Sequence, residues 1–221
     1  MTFLVLYIFM TFIVVPYFAE FFGREKIKET EFIKANTFFT KFLNRNYVNP
    51  ELNKVLDKVS IDFEQKHKGI QLIYLDANFP FIDDFPLLPH LSHNDGKKID
   101  LSLVYQLENG AVTNKKPSIS GYGVFESAKK NEFNQNEICK GRGHWQYDFT
   151  KYLTFGKINK GIKLSETATR DMINSILNQN ELSKIFIEPH LKRRMGLQGD
   201  KIRFHGCKAV RHDDHIHIQI K

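Results

Sequence analysis

The sequence predicts an α+β protein: a small, mainly antiparallel sheet flanked by helices, behind an N-terminal hydrophobic helix. Three observations carry that expectation. The chain opens with an almost uninterrupted apolar run, "MTFLVLYIFMTFIVVPYFAEFF". Helical periodicities gather early, before residue 66, whereas strand-like segments follow at irregular intervals. The chain ends on "HIHIQI", residues 215–220, whose alternation is that of a strand with one buried face.

The opening run is apolar from Phe3 to Ala19. At 1.5 Å per residue it spans ~25 Å, close to the ~30 Å core of a bilayer. A core helix of a soluble protein would place polar residues every three or four positions. Residues 1–22 therefore read as a membrane anchor or uncleaved signal, with a cleaved signal as the alternative, although no clean A-x-A site follows. No Lys or Arg precedes the run, while Arg24, Lys26 and Lys28 follow it. By the positive-inside rule those charges place the following domain on the cytoplasmic side.

After the anchor, Phe32, Ile33, Phe38, Phe39, Phe42 and Leu43 predict an amphipathic helix over residues 30–43. Pro50 opens a second helix with Leu52, Val55, Leu56 and Val59 on one face. Residues 23–66 thus form a helical N-terminal region, and 67–221 the main domain. Within it, "IQLIYLDA" (70–77) reads as a strand and "IDLSLVYQL" (99–107) as another, and "SGYGVFE" (120–126) as a further candidate. Three prolines make "NFPFIDDFPLLPH" (78–90) an irregular loop. Ser165 caps a helix that buries Met172, Ile173, Ile176 and Leu177. "SKIFIEP" (183–189) is a strand stopped by Pro189, and "HLKRRMGL" (190–197) one short helix.

The chain has 221 residues, enough for one well-buried domain, and shows neither repeats nor low-complexity tracts. Its formal net charge of +7 favours an anionic partner, although the lysines are spread as on an ordinary solvated surface. The two cysteines, Cys139 and Cys207, lack the spacing of a zinc ribbon or redox motif.

Histidine is concentrated at two places. In "HLSHNDGKKIDL" (90–101), His93 and Asp100 stand seven apart, with Gly96 between them where a turn needs a permissive backbone. The turn brings Asp100 to the start of a strand, so His93 at the rim and Asp100 on the strand can share one ion. In "RHDDHIHIQIK" (211–221), His215 and His217 project from one face of the last strand, while Ile216, Ile218 and Ile220 project into the core. Two imidazoles and a carboxylate with one open position suit a catalytic zinc. Each cluster has a further histidine three residues upstream, His90 and His212.

The spacings H-x2-H-x2-G-x3-D at 90–100 and H-x2-H-x-H at 212–217 resemble those of the penicillin-insensitive murein endopeptidases, part of the wider LAS metallopeptidases (lysostaphin, D-Ala-D-Ala peptidases, the hedgehog signalling domain). The resemblance covers roughly residues 70–221 and has no counterpart over 25–66. It implies an LAS fold, and one zinc per chain held by His93, Asp100 and His217, with a water in the fourth position. His215 stands beside the metal as general base or oxyanion stabiliser, His212 accompanies it among the catalytic residues, and His90 supports them. The implied reaction is hydrolysis of peptide cross-links or stem peptides of peptidoglycan by a metal-activated water. The implied location is the periplasm, anchored to the inner membrane, or secreted after signal cleavage; the flanking charges oppose it.

Other residues receive roles beside that resemblance. Arg211, Arg193 and Arg194 either bind stem-peptide carboxylates or are ordinary surface charge. Glu188 is a partner of a ligand imidazole, a general base, or a strand-end cap, with His190 just after it. Trp145 either stacks on a sugar or peptide plane or belongs to the core, and Asp148 orients a ligand histidine. In an oxidising periplasm Cys139 and Cys207 pair; two separate buried thiols are the alternative. Two competing readings stand: a metal-dependent nuclease or phosphodiesterase, which needs more carboxylates for two metals, and a non-catalytic wall-binding domain. Peptidoglycan peptides and a membrane are the expected partners, and nucleic acid is not.

Overall fold

A computed structural model describes residues 1–88 and 90–221. Among these, the strands in chain order are β1 (Glu25–Lys26), β2 (Ile33–Ala35), β3 (Tyr47–Val48), β4 (Leu72–Asp76), β5 (Lys98–Ser102) and β6 (Tyr105–Gln106). They continue with β7 (Val112–Thr113), β8 (Lys163–Leu164), β9 (Leu182–Phe186), β10 (Ile202–Arg203) and β11 (His215–Ile220). One six-stranded sheet runs in the order β10-β9-β11-β5-β4-β2. Its central strands are antiparallel, whereas β10 pairs with β9, and β2 with β4, in parallel. The architecture is α+β, but the sheet is larger and more mixed than expected. Its outer strands are only two and three residues long, too short to show an alternation in sequence.

The helix Pro50–Lys66 starts as anticipated. Asn49 accepts the Leu52 N–H at 2.8 Å, and Pro50 occupies a first-turn position that needs no donor. The helix Glu166–Leu177 follows the Ser165 cap, which accepts the Ala168 N–H. Leu52, Val55, Leu56, Val59 and Phe63 of the first helix meet Ala168, Met172, Ile173 and Ile176 of the second. Both share one core with Ile99 and Leu101 of β5 and Ile216, Ile218 and Ile220 of β11. Each such side chain contributes roughly 1.5–3 kcal/mol by leaving water. One face of the sheet is thereby filled with hydrocarbon, and the polar residues of β5 and β11 are confined to the other.

Three local expectations are corrected. Residues 30–43 do not form one helix. Ile33 enters the core from β2, whose backbone is taken up by β4 (Leu72 N–H to Phe32 O, 2.8 Å), and only Phe38–Phe42 is helical. The strand expected over 99–107 ends at Ser102. The Thr169 hydroxyl takes the Val104 N–H, and β6 joins a separate sheet of order β7-β6-β8. Residues 120–126 form no strand, because Gly121 and Gly123 sit at φ +87° and +78°. The 78–90 loop is irregular over its described residues; its third proline, Pro89, lies outside them. The strand before Pro189 ends at Phe186, and Pro189 opens the helix Pro189–Arg194.

The N-terminal helix Thr2–Phe22 is long and apolar enough to cross a membrane, a property shared by signal sequences. Pro16 lies within it. The wider π turn over Met10–Val14, immediately upstream, absorbs the missing donor and ring clash. Gly23, left-handed at φ +66°, ends the helix. Cys139 and Cys207 form a disulfide, which fits a non-cytoplasmic location.

Candidate metal centre

Register across the sheet builds the site. His217 of β11 lies opposite Asp100 of β5, and Asp100 lies opposite Asp76 of β4. Directly opposed residues project from the same face, so two carboxylates and an imidazole form one row on the face away from the helices. His215 stands two residues along from His217, on the same side. His93 arrives from the loop before β5. There Gly96 holds φ +78°, and a Cβ would come within 2.5 Å of the Arg24 side chain.

Three donor atoms converge. His93 Nε2 lies 3.1 Å from Asp100 Oδ1 and 3.1 Å from His217 Nδ1, and His217 Nδ1 is 2.9 Å from Asp100 Oδ1. Tetrahedral ligands at zinc bond lengths would stand ~3.3 Å apart. The His93 tautomer is set from behind: its Nδ1–H donates to the Ala77 carbonyl at 3.1 Å, which leaves the Nε2 lone pair facing Asp100 and His217. Asp76, His90, His93 and Asp100 also form a buried group whose donor atoms all lie within 4.8 Å of one another, and this group could hold a metal ion.

The second oxygen of Asp100 is tied down separately. His90 Nδ1 lies 2.9 Å from Asp100 Oδ2 and 3.0 Å from Asp76 Oδ2, and Tyr122 O–H donates to Asp100 Oδ2 at 2.8 Å. Asp76 is held in turn by Arg45. Burial opposes charge on His90, but the Asp100 and Asp76 carboxylates prevail and push its pKa up to about 10. Burial would raise Asp100; His93, His215 and His90 outweigh it and hold the carboxyl well below the usual range. His217 is pushed down to about 4, chiefly by burial, so its imidazole is neutral.

His215 is poised differently. Its Nδ1–H donates to Asp214, which also accepts the Gly123 N–H. Its Nε2 has no hydrogen-bond partner among the described residues and lies 3.7 Å from Asp100 Oδ2. Burial opposes its charge, yet Asp100 and Asp214 raise its pKa. His212 lies beside it, with ring centroids 4.8 Å apart, and is held neutral by burial and neighbouring histidines. A cavity of about 500 Å³ opens over Asp100, His212, His215 and His217, with Trp145 and Phe149 on its rim. Trp145 is 76% exposed, so it is no core residue.

Six other candidates lie elsewhere. Glu188 contacts no imidazole: Oε1 accepts the His212 N–H at 3.1 Å, while the Glu188 N–H donates to the His212 carbonyl at 3.0 Å. Glu188 is thus a clamp on the backbone entering the motif. Its pKa is pushed up to about 7, mainly by burial, with the nearby Tyr147 hydroxyl opposing the rise. His190 Nε2–H donates to the Glu126 carbonyl, away from the cluster. Arg211 is buried, paired with Asp213 and Asp148 and stacked on Phe125, so it has no charge to offer a substrate. Asp148 reaches Arg211 and Lys140 and no histidine. Arg194 is paired with Glu132, and Arg193 lines a different cavity.

Sequence reasoning missed Asp76 and Tyr122, and it missed Asp214 as the partner of His215. Asp76 left one legible signal, a carboxylate closing the otherwise apolar "LIYLD". Tyr122 and Gly123 come from a segment whose glycines turn it toward the site, a path with no local pattern. The chain matches no known protein-family model, and no curated protein matches it.

Proposed function

We propose that the protein is a zinc-dependent peptidase of the LAS type, acting on peptide cross-links or stem peptides of peptidoglycan from the periplasmic side of a membrane. One observation carries the reading: His93 Nε2, Asp100 Oδ1 and His217 Nδ1 meet within 3.1 Å, although they come from a loop and two strands far apart in sequence. The donor set suits a divalent ion: two imidazole nitrogens and one carboxylate oxygen, buried, with His93 oriented by a carbonyl behind it. Such an ion, when bound, supplies Lewis acidity, lowering the pKa of a water and polarising a carbonyl.

The remaining work falls to the protein. Asp214 fixes the His215 tautomer with the proton on Nδ1, so Nε2 faces the site as a base. That nitrogen accepts a proton from the attacking water and returns it to the leaving amine. Tyr122 and His90 hold Asp100 in place, and the rim of Trp145 and Phe149 offers flat apolar surface to a peptide or sugar plane.

The test is digestion of purified peptidoglycan by the full chain loaded with zinc, followed by separation of the muropeptides. Cross-linked dimers should give monomers, chelation should stop the release, and added zinc should restore it. Unchanged muropeptides in the presence of metal-loaded protein would overturn the reading and favour a non-catalytic wall-binding domain. Two ions per chain with cleavage of a phosphodiester would favour the nuclease.

A further inference from the structure

A second cavity, of about 670 Å³, shares Leu88 and His90 with the one over the site. Its volume falls in the ~300–1,000 Å³ range of ligand pockets. Its polar end is Asp76, His90 and Tyr122, and its walls include Phe39, Leu43, Leu153 and Phe155. Arg45 is the only Lys or Arg among the described residues of the lining, and its charge is spent: Nε and Nη2 face Asp76, and Nη1 donates to the Leu88 carbonyl. The His90 charge is likewise taken up at Nδ1 by the Asp76 and Asp100 carboxylates, so a carboxylate or phosphate would find only paired cations here and would face the Asp76 charge. The chemistry selects an uncharged, apolar occupant.

One exposed part of the lining, Phe39 and Leu43, stands next to residues that pack on the N-terminal helix. Phe39 and Leu43 belong to the turn Phe38–Leu43, whose other aromatics pack on that helix. Phe38 stacks on Phe12 at 5.8 Å between centroids, and Tyr7 packs on Phe42 while its O–H donates to the Phe42 carbonyl. Phe38, Phe39 and Leu43 remain 59%, 65% and 52% exposed. They continue the exposed apolar surface of Leu4, Phe9 and Ile13 onto the domain. Tyr7 and Phe12 lie roughly 15–23 Å along the axis from the helix end at Phe22. A bilayer that receives Thr2–Phe22 along its length would also reach Phe38 and Phe42, which pack on Phe12 and Tyr7, and the exposed Phe39 and Leu43 beside them.

We propose that this cavity admits the acyl chain of a membrane phospholipid, passing between Phe39 and Leu43 toward Tyr122 and His90. The inference rests on residues 1–22 remaining attached and seated in a bilayer; it does not depend on the peptidase chemistry.

The full chain in phosphatidylcholine nanodiscs carrying a photoreactive diazirine at mid-acyl chain provides the test. After illumination, adducts should map to Leu43, Leu153 and Phe155 as well as to residues 2–22. Leu153→Trp, which fills the cavity, should cut adducts at Leu43 and Phe155 about fivefold or more while sparing those on residues 2–22. Phe39→Asp, at an exposed position that burdens the fold little, should do the same. Adducts confined to residues 2–22, or insensitive to both substitutions, would overturn the proposal. So would an intact mass showing that the membrane-isolated protein lacks residues 1–22. Peptidoglycan hydrolysis, assayed separately, distinguishes failure here from failure of the catalytic reading.

Discussion

His93 Nε2 and His217 Nδ1 face each other at 3.1 Å across 124 positions of sequence, with Asp100 Oδ1 completing the triangle. Without a cation, one proton on His217 Nδ1 must serve both an imidazole lone pair and a carboxylate. A divalent ion accepts a lone pair from all three at once, and neutral imidazoles are the form that binds it.

That geometry fixes the first expectation. His93→Ala, Asp100→Ala and His217→Ala should each abolish stoichiometric zinc binding, measured by elemental analysis, and hydrolysis with it. Tyr122→Phe, which removes one hydrogen bond to Asp100, should weaken zinc by ~10–100-fold and keep the fold, and Asp76→Asn, which also strips Arg45 of its partner charge, should weaken zinc at least as much. A His217→Ala protein that retains one zinc per chain would refute the ligand set.

His215 separates metal binding from turnover. His215→Ala should keep its zinc and lose ~10²–10⁴-fold in kcat, the usual range for a positioned acid–base group. Asp214→Asn should shift the pH profile of kcat downward and lower its plateau, because Asp214 raises the His215 pKa. Equal loss of zinc and kcat in His215→Ala would make it a ligand instead.

Glu188 makes a pH prediction for stability. Burial raises its pKa from 4.5 to about 7, with Asp213 adding repulsion and Tyr147, Arg211 and the His212 N–H opposing. Between these values the folded chain holds a proton that the unfolded chain has lost. Stability from this group is therefore full below pH 4.5, falls as pH rises toward 7, and is level above it. The fall is on the order of 3 kcal/mol. Glu188→Gln keeps an acceptor for His212 and should remove that fall, as read from denaturant unfolding between pH 4.5 and 8.

The disulfide closes a separation of 68 residues and joins the Trp145 rim to the segment leading into the last strand. Cys139→Ser with Cys207→Ser should cost about 4 kcal/mol of stability in the chain-entropy picture. It should also raise KM more than it lowers kcat, because the rim moves while His93, Asp100 and His217 stay on the sheet and its adjoining loop. Steady-state kinetics and thermal melts of the double variant check both.

Much of the architecture was legible because it depends on local periodicity. The Pro50 helix, the Ser165 cap and the alternation of "HIHIQI" are set by neighbours within a few residues. The supposed helix over 30–43 failed because Ile33 pairs with Leu72, a partner that no local window contains. Arg211 looked available beside the histidines, and is instead neutralised by Asp213 and by Asp148, 63 positions away.

The sequence alone determined which side chains share a strand face, where the turn at Gly96 falls, and that an apolar helix precedes the domain. Those properties follow from the chiral, alternating backbone and need no distant partner. Only the tertiary structure decided that Asp76, Asp100 and His217 stand in one row, that Tyr122 braces Asp100 from a strandless segment while Asp214 holds His215, and that an apolar cavity lies beside His90 with Phe39 and Leu43 in its lining. Strand register is chosen by packing the hydrocarbon face of the whole sheet against its helices, and the polar face inherits whatever alignment that packing imposes.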